Sequence, residues 1–523
     1  MTPTHPAPAA VQAQWRASGA WTDETLLDRL ARVDGTRLAI VDDDVRLTVD
    51  DLREQSARVA AGLRQLNVLP GTVVAMQLPN WWEAVVLSWA AWRCGAILAP
   101  ITPTLRAREV GFILRQSGAR MAIVPQEFRG TDYPALVRST GFTGAVLEVR
   151  GGHSLPAADP AIRDHAATVD DRAVILWTSG TTSEPKGVVH THQSLRAEAD
   201  TIAAAHEMRA GEPLLLPMPV THVAGLTYGV LLPVTSGITA VLMDTWEPGR
   251  ALELLERERI AVMISTPVFM RTMIDHPRFA DTDASTLRLF SLGGAGVAPA
   301  MVREGARDFG CWCKRTYGST EYPTLTTGLL GDDPERDATT DGRLIAGSEL
   351  RIADPRTGVD IAPGELGELL VRGPEMFVGY LDPELDADAF ADGGWFRTGD
   401  LARYDGTYLT IVDRLKDVII RGGENVSAQE VEALLVTHPS VTEAACVAAP
   451  DPVMGEEVCA FVIAAEDAVP ALDELRAHLL EHGLARFKLP SRLEVRTELP
   501  RTASGKVQKT PLRDEIRTLA TSG

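Results

Sequence analysis

The segment Thr178-Ser-Gly-Thr-Thr-Ser-Glu-Pro-Lys-Gly187 gathers hydroxyls, glycine and one lysine directly behind the apolar run Ala173-Val-Ile-Leu-Trp177. Hydroxyls and backbone N–H groups donate to phosphate oxygens, and Lys186 adds a point charge, so the segment reads as a loop that wraps an anion. It is not a Walker A loop. Pro185 stands where glycine must precede the lysine, and Gly187 stands where Ser or Thr should hold Mg²⁺. Ser183-Glu-Pro-Lys186 also fits the Ser-x-x-Lys of penicillin-interacting serine enzymes, but the accompanying Ser-Asp-Asn and Lys-Thr-Gly elements are missing. The plain alternative is a polar surface turn.

Seven further segments have the composition of site loops. They are Pro219-Val-Thr-His222, Gly293-Gly-Ala-Gly296, Tyr317-Gly-Ser-Thr-Glu321, Trp395-Phe-Arg-Thr-Gly-Asp400, Asp413-Arg-Leu-Lys-Asp417, Arg421-Gly-Gly-Glu-Asn-Val426 and Pro500-Arg-Thr-Ala-Ser-Gly-Lys506. Singly, each has an ordinary reading: a core histidine, a glycine turn, a charged surface turn, a solvated lysine. In this order and over nearly the whole chain, they resemble the adenylate-forming superfamily of acyl-CoA synthetases, non-ribosomal adenylation domains and firefly luciferase. Three departures stand out: Ser183 for the second loop glycine, Gly296 for a proline, and Ala428 where the family often has proline.

The resemblance implies a role for each segment. Thr178, Ser179, Gly180, Thr181, Thr182 and Lys186 would hold the phosphates of ATP. Gly294, Ala295 and Gly296 would let adenine and the acyl group approach the backbone. Tyr317 would stack near adenine, Gly318 and Ser319 would also contact the nucleotide, Thr320 would bond the α-phosphate, and Glu321 would hold Mg²⁺, which favours a carboxylate combined with phosphate oxygens and waters. Asp400 would accept from the ribose hydroxyls, and Arg414 would touch ribose or phosphate. His222 would line the carboxylate pocket with Gly294. Lys416 would be a hinge, and Gly422, Gly423 and Glu424 would line the CoA tunnel. Lys506 would be the catalytic lysine of adenylation.

The implied activity is ATP-dependent conversion of a carboxylic acid to an acyl adenylate with release of pyrophosphate, then transfer to CoA. Within the superfamily, Gln77-Leu-Pro-Asn-Trp-Trp-Glu83, Pro125-Gln-Glu-Phe-Arg-Gly130 and Tyr317–Pro323 look most like bacterial cyclohexanecarboxylate and short- or medium-chain fatty acid–CoA ligases. Two alternatives stay open. One is a secondary-metabolism ligase taking an aryl or unusual acid, even nitrite, with a carrier-protein or amine acceptor. The other is a non-catalytic nucleotide-binding scaffold, against which intact Lys186, Glu321, Asp400 and Lys506 argue.

These segments need a scaffold, and the chain is long enough to supply one. At roughly 100–200 residues per domain, 523 residues make about three to five domains or subdomains. Helical and strand patterns alternate from residue 22 to about 150: a helix with Leu52, Val59, Leu63 and Leu66, a strand at Val73–Leu78, a helix at Trp82–Arg93 and a strand at Ala96–Pro100. The alternation resumes at Leu214–Leu216, Ala240–Met243, Ala261–Ile264 and Leu287–Phe290, predicting an α/β fold with a largely parallel sheet. Short strands with Gly and Pro turns make 342–414 a β-rich subdomain. The expected division is an N-terminal AMP-binding domain over 1–414 and a small, mobile C-terminal α+β domain over 415–523.

Composition closes off other classes. Hydrophobic residues at 45% and charged residues at 23% are globular values. With 51 cations against 71 anions the net charge is −20, which argues against nucleic-acid partners but not against a small anion in a local cationic cleft. Cys311 and Cys313 lack a second ligand pair at zinc spacing. No basic segment followed by an apolar core opens the chain, and the apolar stretch from Ala84 to Ile101 is broken by Arg93, Gly95 and Pro100. It reads as a buried helix and strand, not a membrane span. The expected setting is cytoplasmic, with acid, ATP and CoA as partners and a homodimer as an allowed assembly. Only six cations are lysines: Lys186, Lys314, Lys416, Lys488, Lys506 and Lys509. In so Arg-rich a chain, a retained lysine marks a place where the planar guanidinium does not serve. Lys314 alone falls in no motif.

Overall fold

The computed structural model describes residues 5–160, 164–178, 184–421, 424–451, 454–465, 468–501 and 507–521. The chain forms two compact units. One comprises Met1–Glu349 with Val371–Phe396, and the other Leu350–Leu370 with Arg397–Gly523. The second unit therefore takes in much of the β-rich stretch together with the C-terminal residues.

Two sheets organise the first unit. A nine-stranded sheet orders the strands that begin at Arg343, Thr326, Trp312, Leu289, Val262, Pro213, Thr239, Leu38 and Val45. The run from Trp312 to Leu38 is parallel throughout. A six-stranded sheet orders those beginning at Lys186, Arg172, Ile97, Val73, Met121 and Ala145. Strands such as Met121–Pro125 and Thr239–Leu242 are buried at every position, as a parallel sheet covered on both faces requires. Met263, Phe290 and Leu292 pack with Leu252 and Leu255 of helix Pro248–Arg257 and Val302 of helix Pro299–Phe309.

Local chemistry sets the helix starts. Thr48 caps helix Val49–Gln65 by accepting from Asp51 N at 3.1 Å, while Thr48 N donates to Asp51 Oδ2 at 2.8 Å. Helix Trp82–Arg93 is buried from Glu83 through Trp92. The one acid inside it, Glu83, is held by Arg150 Nε at 2.9 Å. The stretch from Ala84 to Ile101 is thus a buried helix and strand, and no helix among the described residues is long and apolar enough to cross a membrane.

Lys314 now has a place. It lies fully buried in strand Trp312–Tyr317, where Nζ donates to Gly328 O at 2.6 Å and sits 4.0 Å from the Trp312 ring centre. Burial, only partly offset by Asp337, pulls its pKa down to about 7. A compact ammonium fits between a carbonyl and an indole where a guanidinium fork does not.

In the second unit, the strands beginning at Glu424, Ile419, Gly455 and Val441 form one sheet, with Arg492–Arg496 parallel to Gly455–Ala464. Helices Ala428–Leu435 and Leu472–Glu481 cover a core of Val431, Leu435, Val458, Val462, Leu475 and Leu479. Lys488 pairs with Glu430 at 2.5 Å and Lys509 with Glu432 at 2.7 Å, so both lysines are structural ties.

Candidate functional site

In the nine-stranded sheet, the strands Pro213–Leu216, Val262–Ser265, Leu289–Gly293 and Trp312–Tyr317 lie side by side and parallel. Their C-terminal ends therefore face one edge, where open α/β sheets bind ligands. The segments leaving that edge are Met218–His222, Thr266, Gly294–Gly296 and Gly318–Glu321. Three of the sequence-predicted segments thus share one edge because the topology puts them there.

The Tyr317 turn is tightly made. Ser319 N donates to Tyr322 O at 2.8 Å, Tyr322 N donates to Ser319 Oγ at 3.1 Å, and Leu325 N donates to Tyr317 O at 2.9 Å. A Cβ on Gly318 would lie 1.9 Å from Pro323 O, so the turn closes only on glycine. Gly294 has φ +73°, a left-handed conformation within the 293–296 segment, and a Cβ there would contact the Thr266 methyl at 3.6 Å. Gly294 and Gly296 are exposed and Ala295 is half-buried.

The phosphate-loop candidate is the link of a β-hairpin. Strands Arg172–Thr178 and Lys186–Thr191 pair antiparallel, with Lys186 opposite Thr178. Residues 378–381 add to the outer side: Val189 N donates to Gly379 O, Val378 N to Val189 O, and Leu381 N to Gly187 O at 2.7 Å. This brings Tyr380 to the site. Its hydroxyl donates to Glu321 Oε1 at 2.8 Å, and Lys186 Nζ stands 5.1 Å from its ring centre. Lys186 and Glu321, 135 positions apart in sequence, are joined through one tyrosine. Ser179, Gly180, Thr181 and Thr182 lie outside the described residues.

His190 fixes the neighbouring Thr320. The imidazole is fully buried, and that burial pulls its pKa down to about 4, so it is neutral. Its Nε2 lies 2.7 Å from Thr320 O. A carbonyl only accepts, so the proton sits on Nε2, and Nδ1 accepts from Ser194 Oγ at 3.1 Å. Asn80 does the same for the His222 segment. Its side-chain nitrogen reaches Leu216 O, Met218 O and Met243 O at 2.9–3.2 Å, and its oxygen accepts from Val220 N at 2.7 Å. His222 itself is half-buried, at the start of helix Val223–Leu226, with its N–H on Pro219 O at 2.9 Å. Replacing Asn80 by alanine strips partners from several buried backbone groups. The expected loss is about 3 kcal/mol, read as a lower denaturant midpoint, with a higher KM for the acid.

The second unit carries the other predicted residues. Asp400 and Arg414 lie opposite each other on paired strands, and Arg414 Nε is 2.8 Å from Asp400 Oδ1. Asp400 is only 3% exposed. Lys416 is exposed on a turn in which Asp417 N donates to Arg414 O at 2.8 Å, and Asp417 is ion-paired with Arg513. Glu424 is exposed and faces Arg421 across a short antiparallel pair. Arg501 and Val507 bridge the two sides of the Lys506 loop, with Gln508 N on Pro500 O at 2.7 Å. Gly422, Gly423 and Lys506 lie outside the described residues.

Sequence reading missed Tyr380, His190, Asn80 and Thr266. Asn80 lay inside a quoted segment without a role. Thr266 begins helix Pro267–Ile274 without capping it, and its buried hydroxyl has no hydrogen-bond partner among the described residues. Nothing in the local sequence of Tyr380 or His190 marks them, since their importance comes from the strand pairing.

The pattern that defines the AMP-binding enzymes matches residues 27–381, and that of the AMP-binding enzyme C-terminal domain matches residues 430–506. The chain belongs to the AMP-binding enzyme family. Among its relatives in that family, the medium-chain fatty-acid–CoA ligase of Escherichia coli K12 is 32% identical over 530 residues, covering 97% of this chain and 93% of the relative. The long-chain-fatty-acid–CoA ligase FadD13 of Mycobacterium tuberculosis is 35% identical over 482 residues, covering 90% and 93%. The crystal structure of ATP-bound MatB from Rhodopseudomonas palustris matches with a TM-score of 0.87 at 28% identity, covering 95% of this chain and 100% of that one. This AMP-binding enzyme therefore has the α/β fold that its motifs implied.

Proposed function

We propose that this enzyme activates a small carboxylic acid with MgATP and passes the acyl group to CoA. A carboxylate oxygen attacks the α-phosphorus, the bond to the β-phosphate breaks, and pyrophosphate leaves. The CoA sulfur then attacks the acyl carbon, its proton is lost, and AMP departs with the carboxylate oxygen. The convergence of Lys186, Tyr380 and Glu321 carries this reading, because it joins a cation and a carboxylate of the kind Mg²⁺ favours beside the hairpin loop. The relatives named as CoA ligases support the acceptor.

In this reading the 178–182 segment and Lys186 hold the β- and γ-phosphates, Thr320 the α-phosphate, and Asp400 with Arg414 the ribose. Tyr317 stacks on adenine, and Gly294–Gly296 leave room for it. The acyl group lies between Gly294, Thr266 and His222. Among the described residues no cluster of three or more acid, histidine or cysteine side chains forms a metal cage. A lone Glu321 carboxylate suits Mg²⁺ that arrives on ATP and keeps phosphate oxygens and waters as its other ligands. Lys506 faces the developing charge during adenylation. Rotation about Lys416 then exchanges it for Gly422–Glu424, which line the thiol channel. All five cysteines are free, which fits a reducing cytoplasm.

The test has two stages. Acid-dependent exchange of labelled pyrophosphate into ATP, run over short, medium, alicyclic and aryl acids, is expected to single out a carboxylic acid. Adding CoA is then expected to give stoichiometric AMP and thioester. Adenylation without thioester would replace CoA by a carrier or amine acceptor, and no exchange with any acid would leave only a nucleotide-binding scaffold.

A further inference from the structure

Beneath the candidate site lie two carboxyl groups that no step above uses. Glu198 is on helix His192–Ala205, directly behind the Lys186 strand. Glu375 begins the stretch that leads to Tyr380. They are 2% and 0% exposed, and neither forms an ion pair among the described residues. Thr324 Oγ1, at the end of the Thr320–Glu321 turn, donates to Glu198 Oε1 at 3.0 Å. Thr201 Oγ1 donates to Glu375 Oε1. The carboxyl groups lie within hydrogen-bonding reach of each other and of the Thr324 backbone N–H, and among the described residues Oε2 of each has no other hydrogen-bond partner.

Two buried carboxylates side by side repel, and two fully protonated ones waste an acceptor. One proton held between them satisfies both. Burial first, and then the neighbouring carboxyl, raises the pKa of Glu375 well above its ordinary value; burial raises that of Glu198 as well. The other groups around the pair do not supply a charge. Tyr228 pairs with His206 at 3.0 Å, and Tyr322 donates to Ser348 at 2.8 Å. Burial holds both phenols well above their usual range and His206 well below its own, so all three stay neutral. Glu349, the remaining acid near Tyr322, is paired with Arg372 at 2.8 Å.

We propose that Glu198 and Glu375 form a proton-sharing clamp that positions the Thr320–Glu321 turn against the Tyr380 segment for MgATP. The clamp ties together three elements: the helix behind Lys186, the turn bearing Thr320 and Glu321, and the segment bearing Tyr380. Its effect on ATP rests on the proposed function, whereas the shared proton rests on the burial of the two carboxyl groups, their threonine anchors and their otherwise unpartnered Oε2 atoms. Raising the pH removes the shared proton and sets two charges against each other. The clamp is therefore intact at neutral pH and opens as pH climbs through the raised pKa.

Glu375→Gln separates the clamp from simple packing, because its amide donates to Glu198 without needing the proton. Pyrophosphate exchange is followed across pH for the wild type, Glu375→Gln, Glu198→Gln and Glu375→Ala, alongside infrared spectra of each protein. The wild type is expected to show the C=O band of a buried protonated carboxylic acid, absent from both Gln variants, and a KM for ATP that rises about tenfold at alkaline pH. Both Gln variants should hold that KM flat, and Glu375→Ala should raise it about tenfold already at neutral pH, with the KM for the acid little changed. No such band in the wild type, or Gln variants that follow the wild-type pH dependence, would overturn the clamp. If Glu375→Ala does not fold, the band and the Gln profiles still decide. If no acid supports exchange, the proposed function fails while the infrared band still tests the pair.

Discussion

Lys506→Ala is expected to cut acid-dependent pyrophosphate exchange by about 10³-fold while leaving thiolation of a supplied acyl adenylate within about tenfold of wild type. The first half-reaction brings a carboxylate up to a triphosphate, so negative charge accumulates at the α-phosphorus. One cation about 4 Å away, at an effective dielectric near 20, offsets about 4 kcal/mol of that charge, or about three decades in rate. In the second half-reaction a neutral acyl carbon is attacked and AMP leaves, so the same ammonium has little to stabilise. Lys506→Arg should recover only part of the loss, because a planar fork does not reproduce a point charge. Rapid-quench measurement of the two half-reactions separates the cases. Equal losses in both would end the division of labour between Lys506 and the Gly422–Glu424 segment.

The legible parts of the fold were those with a strong local signal. Runs such as Met121–Pro125 and the helix Trp82–Arg93 announce themselves because nearly all their positions are buried and most are therefore apolar. Glycine positions were equally legible, since Gly318 and Gly294 sit where a side chain clashes or strains. The groups that hold the site together were not. Tyr380 reaches Glu321 because 378–381 pairs with the strand from Lys186, a contact spanning almost two hundred residues of chain. Glu198 stands between two alanines of a helix, and its partner Glu375 comes from a distant segment. Neither residue's type reveals burial, because acids are buried only when something distant compensates them. Asn80 was quoted within a segment, but its four hydrogen-bonding contacts to distant backbone depend on the fold. Sequence thus reads chemistry borne on local turns, and misses the buried polar residues that fix those turns to one another.

The second large effect concerns Glu321. Glu321→Gln should lower kcat/KM for MgATP by about 10²–10³-fold and raise the Mg²⁺ concentration needed for half-maximal exchange. The substitution removes a charge but preserves shape, and its amide oxygen still accepts from the Tyr380 hydroxyl, which in the native site lies 2.8 Å from Oε1. Tyr380→Phe is the complementary change: it keeps the carboxylate and removes one neutral donor. That should cost only about five- to tenfold, the scale of one hydrogen bond to a charged acceptor. It should leave the Mg²⁺ requirement unaltered, since the charge that attracts the cation is intact. The two variants therefore distinguish two jobs that the geometry joins at one side chain. If Tyr380→Phe proved as damaging as Glu321→Gln, Glu321 would matter chiefly as an anchor for the 378–381 segment. If Glu321→Gln left the Mg²⁺ requirement unchanged, the metal would have to be held by ATP and water alone. A large loss in Glu321→Gln with a shifted Mg²⁺ dependence, beside a small loss in Tyr380→Phe without one, assigns the carboxylate to the cation and the phenol to holding the carboxylate in place.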